Sequence, residues 1–253
     1  MHKQNDKASA KWRTPVLGVI ALIMILAMLR LGVWQLDRAE QKQEIANQLA
    51  LRASQPASEI QAISEQGPQA ARFRSVSLTG HYLSDKTMLV DNQVVNGGVG
   101  YQVFTPFAVD GFDQLVLIAR GWVSVGESRE IIPEIFTNEQ TQSLAGRLNN
   151  PPAEPPLWND DYAVQNGQVW QYLPISQVSS VLDAKVFPLV VELAPEASDS
   201  AELVRKWPEI DDQWVAKHQG YAFQWFAMAL AFFIACLVLL LKKRKTKPDS
   251  ETV

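Results

Sequence analysis

One stretch gathers the side chains with chemistry to offer: His218-Gln-Gly-Tyr221-Ala-Phe-Gln224-Trp225. On a helix, the spacings of three, four and seven place His218, Tyr221, Gln224 and Trp225 on one face. That face carries an imidazole, a phenol, an amide and an indole. Two readings stay open at this level. Polar and aromatic residues at the mouth of a membrane helix make an ordinary interfacial belt, which physics alone favours. The sharper reading is a flat, amphipathic cofactor lying at the interface. An imidazole can ligate haem iron, aromatic rings pack a porphyrin, and a base such as Arg30 could meet a propionate. His81 lies in or beside a strand, and His2 is in the N-terminal tail.

The elements that must position this face are two apolar helices. Residues 220–241 hold 22 positions without a charge. At about 1.5 Å per residue they span ~33 Å, enough for a hydrocarbon core of ~30 Å. The basic run Lys242-Lys-Arg-Lys245 follows as a cytoplasmic stop signal. Residues 14–36 form the first span, interrupted at Arg30 and closing with Trp34 as a belt residue. A cleaved signal peptide is the rival reading, but Ala27-Met28-Leu29-Arg30 supplies only one small residue for a cleavage site. Arg30 either snorkels to the headgroups or partners an anionic group.

Charge is laid out in three blocks. Residues 1–36 carry five Lys/Arg against Asp6, and residues 220–253 carry five against Asp249 and Glu251. Residues 37–219 keep 13 bases and 24 acids, a net of −11. Basic flanks place both termini in the cytoplasm or matrix and the acidic middle on the far side. The first 13 residues are too short and too poor in Ser and Arg for an organelle transit peptide, which points to a bacterial inner membrane with the middle in the periplasm. The acidic middle disfavours nucleic acid. The single cysteine, Cys236, excludes an intrachain disulfide. There is no Gly-rich phosphate loop, CxxC, HExxH or GxSxG, and the pairs Asp160-Asp161 and Asp211-Asp212 read as solvated surface. A closed protein zinc site is not expected, nor is hydrolase or transferase chemistry.

The expected fold class is an α+β membrane protein, with two transmembrane helices bracketing an antiparallel β-rich extracytoplasmic domain. The segments are a tail at 1–13, the first span at 14–36, a helical extension and loop at 37–72, the β-rich domain at 73–217, the second span at 218–241 and a basic tail at 242–253. Strands are expected at 74–82, 86–95, 99–109 (interrupted at Pro106) and 114–125 (broken at Arg120-Gly121), linked as an antiparallel meander. Val76, Leu78 and Gly80 share a face of the first. Asn96-Gly97-Gly98 is a hairpin turn. Further strands are expected at 142–148, 169–173 and 186–194, the last an edge because of Pro188. Short helices are expected at 58–64 and 174–184, the latter apolar at Ile175, Val178, Val181 and Leu182. A rigid loop through residues 149–156 ends at Leu157-Trp158, and an acidic stretch with Trp207-Pro208 leads back to the membrane.

These pieces together resemble the surfeit locus protein one family, the membrane-bound assembly factors of cytochrome c oxidase. The resemblance rests on Leu31-Gly-Val-Trp34-Gln-Leu-Asp-Arg38 with Lys42, on residues 74–80 with Tyr82, and on Gly100-Tyr101-Gln-Val-Phe-Thr105-Pro106-Phe107. It continues through Ile118-Ala-Arg120-Gly121-Trp122-Val123, with weaker matches at 149–156 and 170–173, to the closing His218–Trp225 segment. It implies a protein that is not an enzyme but helps to build oxidase subunit I, alongside other oxidase assembly factors and membrane lipid. It also implies haem a bound through His218 as the iron ligand, with Tyr221 and Trp225 shaping the site. Arg120-Gly121-Trp122 carries no assigned chemistry, and Gly121 is read as allowing a strand bend. A cofactor-free scaffold docking on a nascent oxidase subunit is the alternative. A periplasmic sensor is disfavoured by the short tail after the second helix.

Overall fold

The computed structural model describes residues 5–126, 128–153, 164–165, 167–197, 203–207 and 212–245. His2, Pro156, Leu157-Trp158, Asp160-Asp161, Pro208 and Asp211 lie outside them. In chain order the elements are α1 (Asn5–Ala53), β1 (Ser58–Glu59), α2 (Ile60–Ser64), α3 (Pro68–Ala71), β2 (Ser75–Tyr82), β3 (Met88–Val95), β4 (Gly98–Val109), β5 (Leu115–Ser124), β6 (Gln142–Asn149), β7 (Val164–Gln165), β8 (Val169–Trp170), α4 (Ile175–Leu182), β9 (Val186–Leu193) and α5 (Asp212–Lys245). They divide into two compact units, Met1–Asn47 with Ile210–Val253, and Gln48–Glu209.

The first unit holds α5 and most of α1. In α1 the first apolar span and its aqueous extension form one continuous helix. It starts at Asn5, inside the expected polar tail, because Ala8, Ala10 and Lys11 favour helix there. It stops at Ala53, just short of Pro56. Both helices are long and apolar enough to cross a membrane. Their apolar side chains are uncovered, with Leu17, Leu22, Phe223 and Leu239 each more than half exposed. Neither is the core helix of a globular domain.

The second unit is a closed sheet. Strands pair in the ring β2–β6–β9–β5–β4, and β4 returns to β2. Closure depends on the twelve residues of β4. Its first half pairs with β3 from Gly98 to Phe104, and its end, Phe107–Val109, pairs with Gly80–Tyr82 of β2. The two backbones approach so closely at this seam that a Cβ on Gly80 would stand 2.0 Å from the Ala108 carbonyl oxygen. Only glycine fits there.

Several expectations change. The meander holds for β3-β4-β5, but β2 pairs with β6 and the far end of β4 instead of β3. The sheet is mainly antiparallel, with three parallel pairings, β1–β2, β3–β8 and β5–β9. Pro106 does not interrupt β4. Its carbonyl accepts from the Leu83 amide, so its missing N–H faces the gap where β3 pairing gives way to β2 pairing. Pro188 does not mark an edge, since β9 runs between β6 and β5. It sits where the β5 register skips and before β6 pairing begins at Val190, so no ladder bond is lost. The Asn96-Gly97 turn forms as expected, with φ of 52° and 81°, the two positive values of a type I′ hairpin.

Alternation along the strands feeds three apolar clusters, two of which lie on opposite faces of β5 and β9. Val76, Leu78 and Tyr82 of β2, Val116 and Ile118 of β5, and Phe187, Leu189 and Val191 of β9 join Ile60 and Ile63 of α2 in one cluster. Leu117, Ala119, Val186 and Val190 face the other way, against Trp170, Tyr172 and Val178 of α4. β5 and β9 are thus buried on both faces, which explains their nearly continuous apolar runs. In α4, Val181 is exposed rather than part of the buried stripe.

Candidate functional site

Heptad spacing builds the meeting line of the two long helices. On α1, Ala21, Ile25, Met28, Gly32, Gln35 and Ala39 alternate steps of four and three. On α5, Val215, His218, Ala222, Trp225, Ala229, Phe232 and Cys236 alternate steps of three and four. These positions are buried or half-buried, and most of their neighbours are exposed. A 3.5-residue repeat keeps one stripe of each helix facing the other. Small residues at Gly32, Ala39, Ala222 and Ala229 let the backbones approach. Gly32 receives the Phe226 ring, since a Cβ there would stand 2.6 Å from it.

His218 lies on this line. Its Nδ1 is 2.7 Å from Oε1 of Gln35 on α1. An amide oxygen only accepts, so with Oε1 facing the ring the matching neutral tautomer is the one protonated at Nδ1, in which Nε2 holds the lone pair. The helices run antiparallel, because Gly32 meets Phe226 while Gln35 meets His218. Trp225, two helical turns along from His218, is half-buried on the same stripe. Tyr221 is 53% exposed and Gln224 is also exposed, so both flank the line and do not lie in it. Arg30 is exposed and stands between Met28 and Gly32 on the far face of α1. The pairing therefore brings His218 to Gln35 and does not bring Arg30 to His218. The bases within one turn of the Gln35–His218 pair are others. Arg38 stacks on the Trp34 ring at 5.7 Å and donates to Gln41 at 3.0 Å. Lys217 lies over Trp214 at 5.1 Å. Gln35 carried no role in the sequence reading. The heptad spacing of both helices, read together, is the signal that finds it.

The sheet unit has its own concentration of polar chemistry, around Arg120-Gly121-Trp122. The β5 register against β4 shifts between Val103–Gly121 and Phe104–Ala119, which makes Arg120 the extra residue of a bulge. The strand bends there without breaking. Arg120 is fully buried. It donates to Thr105 Oγ1 at 3.4 Å, to Thr137 Oγ1 at 2.5 Å and to the Phe136 carbonyl at 2.8 Å, and its guanidinium lies 4.9 Å from the Tyr82 ring centre. Gly121 has φ of 147° and faces Leu203, whose Cβ would be 2.8 Å from any added methyl. Trp122 exchanges both backbone bonds with Val204 at 2.8 Å and donates its indole N–H to Gln93 O at 3.0 Å. The Arg120 carbonyl accepts from Arg205 Nε at 2.9 Å. Three consecutive residues thus pin the segments around 136 and 204 to the sheet.

Two buried carboxylates are structural. Asp91 accepts from Arg129 Nη1 and from the Asn92 amide, and Glu192 accepts from Arg147 at 2.7 Å and Asn149 at 2.8 Å. Burial, and then the Asp91 carboxylate, push the Tyr101 phenol above its ordinary value, with Arg129 opposing. His81 is exposed on β2. Among the described residues no group of three or more His, Cys, Asp or Glu could hold a metal ion.

Comparison with known proteins bears on both units. The sequence pattern of the SURF1 family matches residues 22–230, a span that holds the Gln35–His218 pair and the Arg120 bulge. A SURF1-like protein of Rickettsia bellii is 28% identical over 218 residues, covering 84% of this chain and 86% of that one. A SURF1-like protein of Drosophila melanogaster is 24% identical, covering 90% of this chain and 78% of its own. The cytochrome oxidase assembly protein SHY1 of Saccharomyces cerevisiae is 33% identical over 110 residues, or 43% of this chain and 28% of its own. With the family pattern running through most of its length, the chain belongs to the SURF1 family.

Proposed function

We propose that this protein is an assembly factor for cytochrome oxidase that holds haem a through His218 and hands it to, or guards it for, subunit I. On this reading α1 and α5 cross a bacterial plasma membrane, both termini are cytoplasmic and the sheet unit is periplasmic. Its work is delivery, with haem as cargo and no turnover chemistry of its own. The observation that carries the reading is the His218 imidazole, half-buried between two apolar helices with Nε2 left to ligate. Family membership and the name of the yeast relative support the oxidase part.

The donor set fits such a cargo. A porphyrin asks for a neutral imidazole nitrogen, flat apolar flanks and bases for its carboxylates. His218 supplies the first. Trp225 and Tyr221 supply the second. For the third, Arg38 and Lys217 stand within a turn of the Gln35–His218 pair, whereas Arg30 does not.

The test is to purify the full chain from cells making haem a and to record reduced spectra of wild type and His218→Ala. Wild type retains haem and the variant loses it. Equal haem in both overturns the ligand assignment, and no haem in either overturns the cargo. The scaffold reading is favoured by Phe136 and Ile131, which are 76% and 68% exposed in the sheet unit. Under it, oxidase activity survives His218→Ala.

A further inference from the structure

The Gln35–His218 bond has a consequence beyond the identity of the ligand. A neutral imidazole in water exchanges its proton between two nitrogens, and only one tautomer presents the Nε2 lone pair. Metal-bound histidines nearly always give their other N–H to an acceptor, which fixes the ring and raises its basicity. We propose that Gln35 is the positioning residue for His218: it locks the Nδ1-protonated tautomer before any cargo arrives and aims Nε2 at the iron. The cargo half of this statement rests on the reading above. The tautomer half does not.

Three observations carry it. The separation of 2.7 Å is that of a well-formed hydrogen bond. Both residues are half-buried on the meeting line, where water competes less for either group. They come from different helices, 183 positions apart, so the bond exists only when α1 and α5 are paired. The Phe226 ring against Gly32 helps to set that register. Ligand readiness is thereby tied to helix pairing: an unpaired α5 carries a histidine of mixed tautomer, and a paired one carries a poised ligand.

The experiment uses the full chain in detergent micelles with isotope-labelled histidine, as wild type, Gln35→Leu, Gln35→Glu and His218→Ala. The last identifies the His218 signals. In haem-free wild type, the nitrogen shifts report one tautomer, protonated at Nδ1. Gln35→Leu mixes the tautomers, while Gln35→Glu retains the acceptor and restores the single form. On adding haem a, Gln35→Leu binds roughly 10- to 100-fold more weakly. Gln35→Glu binds and lowers the midpoint potential, because a charged acceptor makes the imidazole a stronger donor. A wild-type His218 protonated at Nε2, or a tautomer unmoved by Gln35→Leu, overturns the proposal. A locked tautomer in a wild type that takes up no haem supports the positioning role and overturns the cargo instead.

Discussion

Arg120 is the residue whose removal should disturb the sheet unit most. A guanidinium has no neutral form in a protein, so full burial requires that its N–H groups be met. Thr105, Thr137 and the Phe136 carbonyl meet them, and the Tyr82 face receives the charge. Arg120→Met keeps much of the volume and removes all of these bonds. Thr105 keeps its bond to Thr87 Oγ1 at 3.0 Å, and Thr137 and Phe136 are partly open to water, so the cost is that of the lost bonds to a charged donor, about 1.5–3 kcal/mol. The loss is local as well as global, because the same bonds hold the segment around Thr137 to the sheet. Urea unfolding of Arg120→Met should show a lowered midpoint, and limited proteolysis should cut near residues 128–141 before global unfolding. A variant cut at the wild-type rate would mean that other contacts hold the segment. Thr137→Val makes a milder comparison, since it removes one acceptor and leaves the rest.

At the scale of elements, the barrel depends on β4 serving two partners along one edge. Gly80→Ala tests this where β2 meets β4. The added methyl would lie against a backbone oxygen, which cannot turn aside as a side chain can. The cost should reach the upper end of the ~1–3 kcal/mol usual for overpacking. Hydrogen exchange should then quicken at Gly80, His81 and Asp110 while the β3–β4 hairpin keeps its protection. Uniform loss would instead show that closure and hairpin form one cooperative unit. The strands themselves were readable in the sequence, through the alternation at Val76, Leu78 and Gly80 and the Asn96-Gly97 turn. Of their partners, β3–β4 and β4–β5 were readable as a meander, whereas the pairing of β2 with β6 and β4 was not. A proline shows that an N–H is missing but not which side of the strand lacks it, so Pro106 looked like a break and Pro188 like an edge. The bulge at Arg120 was legible only as a bend at glycine, because burial of the arginine depends on segments from 136 and 205. The helix site divides in the same way. His218 and Trp225 share a stripe that one helix displays by itself, whereas Gln35 acquires its role only through pairing.

For the molecule as a whole, the question is which side of a membrane each part occupies. Lys and Arg near the ends of a span set its orientation, and acids count for little. Lys3, Lys7, Lys11 and Arg13 precede the first apolar run, and Lys242, Lys243, Arg244 and Lys245 close the second. Both clusters should stay in the cytoplasm, which sends the sheet unit across. The chain suits a labelling test because Cys236 is its only cysteine. In a Cys236→Ala background, Glu134→Cys places a thiol on an exposed part of the sheet unit, and Lys247→Cys places one in the basic tail. A membrane-impermeant maleimide should label position 134 in intact spheroplasts. It should label position 247 only after the membrane is opened. The reverse pattern would put the sheet unit in the cytoplasm. Labelling of both sites in intact cells would mean that one of the two apolar helices does not span, and the Gln35–His218 pair would then need a setting other than two antiparallel membrane helices.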